Sequence, residues 1–301
     1  MTTSAVVVTY NRLPILKEVI SALQTSETKV DHIIVVDNNS DQSTRDYLES
    51  LGNQINYVRL NENLGGAGGF NRGIRYFIEQ TDDEYVWLMD DDTVPLPDTL
   101  TQLELFAKSH PNFGFLSSDI RWTDGSRTKM NLPVPKSGIG HIADDATEPE
   151  EMLNATFVSL LMSRDIVIQI GLPITEFFIW GDDIEYTERA SRVSPGYFIP
   201  SARVIHKMSS NVGSSIAKDN MSRVPRYFYS YRNKIYYGKK RSTLVGRVKS
   251  NVRIGLDVVK LLTTPNVDHR LERFKTVVKA IKVGKNFNPK IEFAKSKKDD
   301  K

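Results

Sequence analysis

The chain has 301 residues, 40% hydrophobic and 9% aromatic, enough for one large domain or a domain with an extension. It has no cysteine, which excludes a disulfide scaffold and a thiolate metal site and is compatible with a reducing cytoplasm. The net charge of +3 conceals an acidic body and a basic tail: residues 1–220 carry 18 Lys+Arg against 31 Asp+Glu, and residues 221–301 carry 22 against 6.

Residues 4–10, SAVVVTY, read as a short buried strand, too brief and too poorly flanked by basic residues for a signal peptide. Leu13, Leu16, Val19, Ile20 and Leu23 then follow helical spacing, and Pro14 suits a first turn. HIIVVDNNS predicts a second buried strand ending in turn formers, TRDYLESLG a short helix stopped by Gly52, and INYVRLNEN a third strand. GGFNRGIRYFIEQ opens with glycines and continues as a helix; EYVWLMDDD is a fourth strand; LPDTLTQLELFAKSH is the next helix, with Asp98 in its first turn. Residues 113–160 mix short strands with loops, and DDATEPEE is a solvated acidic loop. NATFVSLLMSRDIVIQIG resumes as strand then helix, EFFIWGDDIEYTERASRV runs from an aromatic strand into a helix, and GYFIPSARVIHK is a strand ending in His206. No run of about 18 apolar residues occurs, so no segment is predicted to span a membrane.

Strands alternating with helices at this spacing imply an α/β fold with a parallel sheet covered on both faces, and such sheets bind ligands at the carboxyl ends of their strands. The polar clusters at residues 9–12, 37–40, 61–69 and 90–92 all fall at such ends. Three aspartates ending a buried strand repel one another unless a cation sits among them, and hard oxygen donors suit magnesium or manganese. Alternation along an extended segment puts Asp90 and Asp92 on one side, as metal ligands, and Asp91 on the other, nearer a sugar. Asp37 can accept hydrogen bonds from a ribose or a uracil N–H, or simply initiate a turn. The glycine stretch fails the dinucleotide fingerprint: read from Gly66 it gives Gly66, Gly68 and then Asn71, and it follows the third strand rather than the first. Its glycines still allow close backbone approach, and the helix start offers N–H groups to phosphate. Asp182 and Asp183 open a helix, where they can cap it or supply a general base. His206 joins the metal set by its proximity to two acidic clusters.

VVVTYNR, VVDNNS, NLGGAGGFNRG, WLMDDD, WGDDIEY and VIHK occur in the order found in inverting glycosyltransferases of sequence family 2, and the resemblance covers about residues 4–208. It implies the nucleotide-sugar A-type fold, a Rossmann-like mixed sheet with a DxD metal motif. NLGGAGGFNRG with FFIWGDDIEY is most similar to bacterial galactofuranosyltransferases, which use UDP-galactofuranose; rhamnosyltransferases using a dTDP-sugar are the second reading. By this resemblance Thr9, Asn11, Arg12, Asp37 and Asn63 match nucleotide-binding positions, with Gly65, Gly66, Asp90 and Asp91 completing the donor set. Asp90, Asp92 and His206 match the metal ligands, for Mn2+ or Mg2+. Asp183 matches the catalytic base, with Asp182 and Trp180 on the acceptor. The galactofuranose polymerases of the family carry substantial further domains, so this shorter tail implies transfer of one or a few sugars.

The expected division is a transferase domain over residues 1–220 and a basic helical extension over residues 221–301. In the extension, Val245, Val248, Val252, Leu256 and Val259 share one helix face, and Leu271, Phe274, Val278 and Ile281 share another. Those faces pack on the body or on another subunit, as in a homo-oligomer, or lie on anionic lipid. A lipid-linked glycan acceptor favours the second, placing the chain in the cytoplasm at the inner face of the membrane. Nucleic acid is not an expected partner, because the strand-end acids would repel phosphate; a non-catalytic nucleotide-sugar binder is the remaining alternative.

Overall fold

The computed structural model describes residues 1–138, 140–241 and 244–295. Strands β1 (Thr3–Thr9), β2 (His32–Asp37), β3 (Asn56–Arg59) and β4 (Tyr85–Asp90) run parallel in the order β3-β2-β1-β4, connected by helices α1 (Leu13–Thr25), α2 (Gln42–Ser50) and α3 (Gly65–Gln80). Their register sets Thr9 beside Asp37, Asp37 beside Arg59 and Val8 beside Asp90. The four carboxyl ends therefore finish on one edge, where the sequence places its polar clusters.

Strand alternation builds two cores. Val6, Val8, Ile34, Val36, Val86 and Leu88 pack with Phe70, Ile74 and Phe77 of α3, while Ala5, Val7, Ile33, Val35, Trp87 and Met89 pack with Leu16, Val19, Ile20 and Leu23 of α1. Each fully buried aliphatic contributes about 1.5–3 kcal/mol relative to exposure. The glycines of α3 serve this packing. A Cβ at Gly69 would lie 2.3 Å from Val8 Cγ1, and one at Gly73 2.3 Å from Val6 Cγ1, so both let the helix settle onto β1.

The second half departs from simple alternation. It comprises β5 (Thr93–Pro95), α4 (Thr99–Ser109), β6 (Phe115–Arg121), β7 (Val134–Pro135), β8 (Glu150–Asn154), β9 (Leu160–Ser163), α5 (Arg164–Ile170), α6 (Asp182–Ala190) and β10 (Gly196–His206). β9 inserts antiparallel between β4 and β6, and β8 runs antiparallel to β10, so the sheet is mixed. Asp98 stands at the N-cap of α4 and makes no side-chain capping bond. The acidic loop is shorter than predicted, because Glu150 and Glu151 belong to β8. β5, missed in the sequence, pairs antiparallel with β10 and sets Thr93 beside His206. The aromatic strand predicted before α6 is not formed: residues 175–177 make a 3-10 turn, and Phe178, Trp180 and Gly181 adopt left-handed φ of 63°, 65° and 89°.

The chain divides into two units. The first holds residues 1–175, 183–212 and the segment from Ile291 onward; the second holds residues 176–182 and 213–290. In the first, Leu172 N donates to Glu292 O at 2.8 Å, and Arg75 pairs with Glu292 at 2.6 Å. The last six residues of the expected extension, 296–301, lie outside the described residues.

The second unit contains α7 (Val224–Lys240), α8 (Leu244–Thr263) and α9 (Arg270–Asn286). Its core joins Tyr227, Tyr231, Ile235, Ile254, Leu261, Val277 and Ala280. The apolar face predicted for α8 is not the packing face: Ser250, Ile254 and Leu261 are buried, whereas Val248, Val252, Leu256 and Val259 are exposed. Val245, the first member of that face, lies outside the described side chains. On α9, Phe274 and Ile281 pack against the core, but Leu271 and Val278 face outward. No helix among the described residues is long and apolar enough to cross a membrane.

Candidate active site

The acidic edge of the first unit is built where β4 turns into β5. Asp90 closes β4, and Asp91 and Asp92 form the turn. Asp92 Oδ1 lies 2.9 Å from His206 Nε2, Asp92 Oδ2 pairs with Arg12 Nη1, and the Asp92 carbonyl accepts from Lys207 N at 2.8 Å. Asp91 turns toward β1, accepting from Thr9 Oγ1 at 2.7 Å and Tyr10 N at 3.3 Å, with Arg12 Nη1 at 3.6 Å. Asp90, Asp92 and His206 each offer one ligand atom, all within 4.8 Å of one another, the one such group among the described residues.

Burial and the charge of Asp92 push Asp90 up to about 6, and burial pushes Asp91 up to about 7 against the pull of Arg12. Burial also raises Asp92, but the hydrogen bond and charge of His206, together with Arg12, outweigh it and hold Asp92 below the ordinary carboxylate value. Two carboxylates and an imidazole suit a divalent cation of the manganese type. Arg12, with its side chain 53% exposed, supplies positive charge to the group. His206 Nδ1 is buried with no hydrogen-bond partner, so one ring nitrogen is not committed by the fold. The residues fit a divalent metal.

The neighbouring strand ends lock together. Asn11, at φ 55°, donates its N–H to Ser40 Oγ at 3.0 Å and accepts from Asp41 N at 2.7 Å. Asn tolerates the left-handed conformation because its short amide can bond locally. Asp37 is fully buried and accepts from Ser40 N at 2.7 Å, Tyr57 Oη at 2.9 Å and Arg59 Nη1 at 2.5 Å. A carboxylate has about four lone-pair sites, so one remains. Asn63 Oδ1 accepts from Gly65 N at 2.8 Å, where α3 begins; Gly65, at φ 70°, is buried and Gly66 is half-buried.

Asp182 and Asp183 are the first residues of α6. In the first unit, Asp183 is half-buried and its Oδ1 accepts from Ile184 N at 2.8 Å. The helix behind it is clamped: Arg189 donates to Ile170 O, Leu172 O and Glu185, and Asn154 donates to Glu188 at 3.0 Å. Glu185 is committed to Arg189 at 2.8 Å. In the second unit, Trp180 meets Tyr227 edge-on at 5.1 Å, with the Arg223 guanidinium 5.6 Å from its ring. Fully buried Asn233 holds this loop by donating to the carbonyls of Phe177, Ile179 and Trp180. Asn233, Tyr57 and Arg59 were not singled out in the sequence. Tyr57 and Arg59 reach Asp37 across 20 and 22 residues and Asn233 reaches its partners across 53 to 56, leaving no local mark, whereas the bond from Ser40 to Asp37 is the local turn expected there.

Known proteins resemble this chain in sequence and in fold. Residues 4–171 match the family described as Glycosyl transferase family 2. The galactofuranosyltransferase GlfT1 of Mycolicibacterium smegmatis is 27% identical over 247 residues, covering 77% of this chain and 81% of that protein. Among solved structures, the mannosyltransferase PcManGT of Pyrobaculum calidifontis, in complex with GDP-Man and Mn2+, superposes with a TM-score of 0.57 at 14% identity, covering 96% of this chain and 76% of that one. S. aureus TarS superposes at 0.54 and 16% identity over 96% of this chain, which spans 44% of the TarS chain. These neighbours have the A-type glycosyltransferase fold, as the mixed sheet here does. With its family match across more than half its length and its acidic strand-end edge, the chain belongs to glycosyl transferase family 2.

Proposed function

We propose that the chain transfers galactofuranose from UDP-galactofuranose to a hydroxyl of a lipid-linked glycan acceptor in cell-surface polysaccharide synthesis, inverting the anomeric configuration. The observation that carries this reading is 27% identity to a galactofuranosyltransferase across 77% of the chain. Residues 1–220 form the transferase portion and residues 221–301 its basic extension, and the chain works at the inner face of the membrane.

The donor lies along the carboxyl edge of β1 to β4. Thr9, Asn11, Asp37, Asn63, Gly65 and Gly66 hold the nucleotide, and Asp91 faces the sugar. Asp90, Asp92 and His206 hold Mn2+ or Mg2+, which when bound would supply positive charge to the departing diphosphate. Arg12 leaves Asp92 for the diphosphate, so its charge follows the substrate. Trp180 and Asp182 position the acceptor. Asp183 accepts the proton of the acceptor hydroxyl; that oxygen bonds to the anomeric carbon on the face opposite UDP, and the bond from carbon to the UDP oxygen breaks. The clamping of α6 by Arg189 keeps the base from drifting, because general-base catalysis requires hydrogen-bond reach to the proton removed.

A donor panel tests the assignment. Purified chain with Mn2+ should turn over UDP-galactofuranose in preference to other UDP-sugars and to dTDP-rhamnose. Preferred turnover of dTDP-rhamnose would reassign the donor, and binding without turnover of any sugar would make the chain a nucleotide-sugar binder.

A further inference from the structure

Helix α8 carries its apolar face outward. Successive residues turn about 100° around the axis, which places Val248, Val252, Leu256, Val259 and Leu262 within roughly 120° of arc. Their exposures are 51, 52, 53, 55 and 47%, while Ile254 and Leu261, on the opposite side, are buried in the core of the second unit. The helix therefore satisfies its own packing and still presents five large aliphatic side chains. Lys249, Arg253 and Lys260 lie along one flank of the stripe, about 80–120° from its centre. Exposed Lys275, Lys279, Lys282 and Lys285 accompany Leu271 and Val278 on the outward side of α9. Residues 213–290 carry 19 Lys+Arg against 4 Asp+Glu.

Contiguous exposed apolar rows mark interaction sites, and the charge identifies the partner. A second copy of this chain would bring two strongly basic units together, like charge against like. An anionic bilayer accepts both features, its acyl boundary the aliphatic side chains and its headgroups the lysines and arginines. Since α8 has too many charges to cross a membrane, it would lie in the plane of the interface.

We propose that α8 is an in-plane membrane anchor, inserting Val248, Val252, Leu256, Val259 and Leu262 into an anionic bilayer while Lys249, Arg253 and Lys260 engage lipid phosphates. This rests on the membrane-side reading given above and specifies the surface that realises it.

Vesicle flotation of the full chain tests it, with phosphatidylcholine vesicles that contain or lack phosphatidylglycerol. The parent should float with the anionic vesicles. V252Q/L256Q/V259Q should lose at least about tenfold in partition, since membrane binding scales with buried apolar area, and R253Q/K260Q should reproduce the weakening caused by salt. Both variants change outward side chains and should keep the parental melting temperature and UDP affinity. A separate substitution, Leu256→Trp, should give tryptophan emission that shifts to the blue on anionic vesicles. Equal partition of the stripe variant and the parent would overturn the proposal, as would an unshifted Trp signal. So would light scattering that shows a parental dimer dissolved by the stripe variant, because the face would then be a subunit interface. None of these readouts uses turnover, so a failed donor panel and a failed anchor give different results.

Discussion

Arg12 and the aspartates around it decide how the acidic edge behaves before substrate arrives. Arg12 is paired with Asp92, one of the three residues suited to the cation, so guanidinium and a bound metal would compete for the same carboxylate. Arg12→Gln should tighten binding of Mn2+ in the absence of nucleotide and weaken binding of UDP, both read by calorimetry; weaker binding of bare Mn2+ would show that Arg12 shapes the site rather than fills it. The raised carboxylates give a second test, on the chelated protein. Asp90 and Asp91 stand at about 6 and about 7 in the fold, above the usual 3.8. Their folded forms favour the proton, so the stability they contribute is present below about pH 4 and is lost as pH rises through 6 and 7. Asp92 is lowered and acts only below the ordinary carboxylate value, outside that window. The chelated protein should therefore melt at a lower temperature at pH 8 than at pH 5, and added Mn2+ should raise the melting point more at pH 8. A flat profile would mean that the carboxylates are already compensated. Strand-end acids were legible in the sequence because three acids close a short apolar run, although Asp91 and Asp92 lie in a turn and not in the extended segment that alternation assumes. The bond from Arg12 to Asp92 was not, because it spans 80 residues and follows no period.

At the scale of elements, the glycines of α3 illustrate where sequence reading stops. Their clustering shows that something approaches closely, but whether that is a ligand or a strand depends on the packed structure, and at Gly69 and Gly73 it is β1. Gly73→Ala should destabilise the protein. The methyl would sit 2.3 Å from Val6 Cγ1 and 3.1 Å from Val36 Cγ2; overpacking costs about 1–3 kcal/mol, against a helix-propensity gain of about 1 kcal/mol. Gly255 on α8 has nothing within 4 Å of an added Cβ, so Gly255→Ala should stabilise by up to about 1 kcal/mol. Urea midpoints of the two variants should move in opposite directions; a parallel shift would refute the packing account. The four parallel strands were readable because each is a short apolar run bounded by turn formers. β5 was not: three residues with two prolines nearby give no strand signal, and only its pairing to β10 forms it. The aromatic segment before α6 misled for a related reason. Its residues favour strands, but Asn233 holds their carbonyls in a left-handed loop.

Across the whole molecule, the sequence showed an acidic body and a basic tail, since charge asymmetry needs no coordinates to be counted. It could not show which face of α8 is outward, because two competing sets of apolar residues share that helix and only tertiary packing chooses Ile254 and Leu261 for the interior. The proposed chemistry rests on one side chain more than any other. Asp183 sits at the start of α6, where an acid can cap a helix, worth about 1 kcal/mol, or remove a proton, worth about 10²–10⁴-fold in rate. Turnover of UDP-galactofuranose by Asp183→Asn, measured beside its melting temperature and UDP affinity, separates the two roles. The variant should fold and bind UDP as the parent does while losing at least about 100-fold in turnover. Near-parental turnover would contradict general-base transfer by Asp183 and leave it only a place in the first turn of α6, which Asn fills as well as Asp.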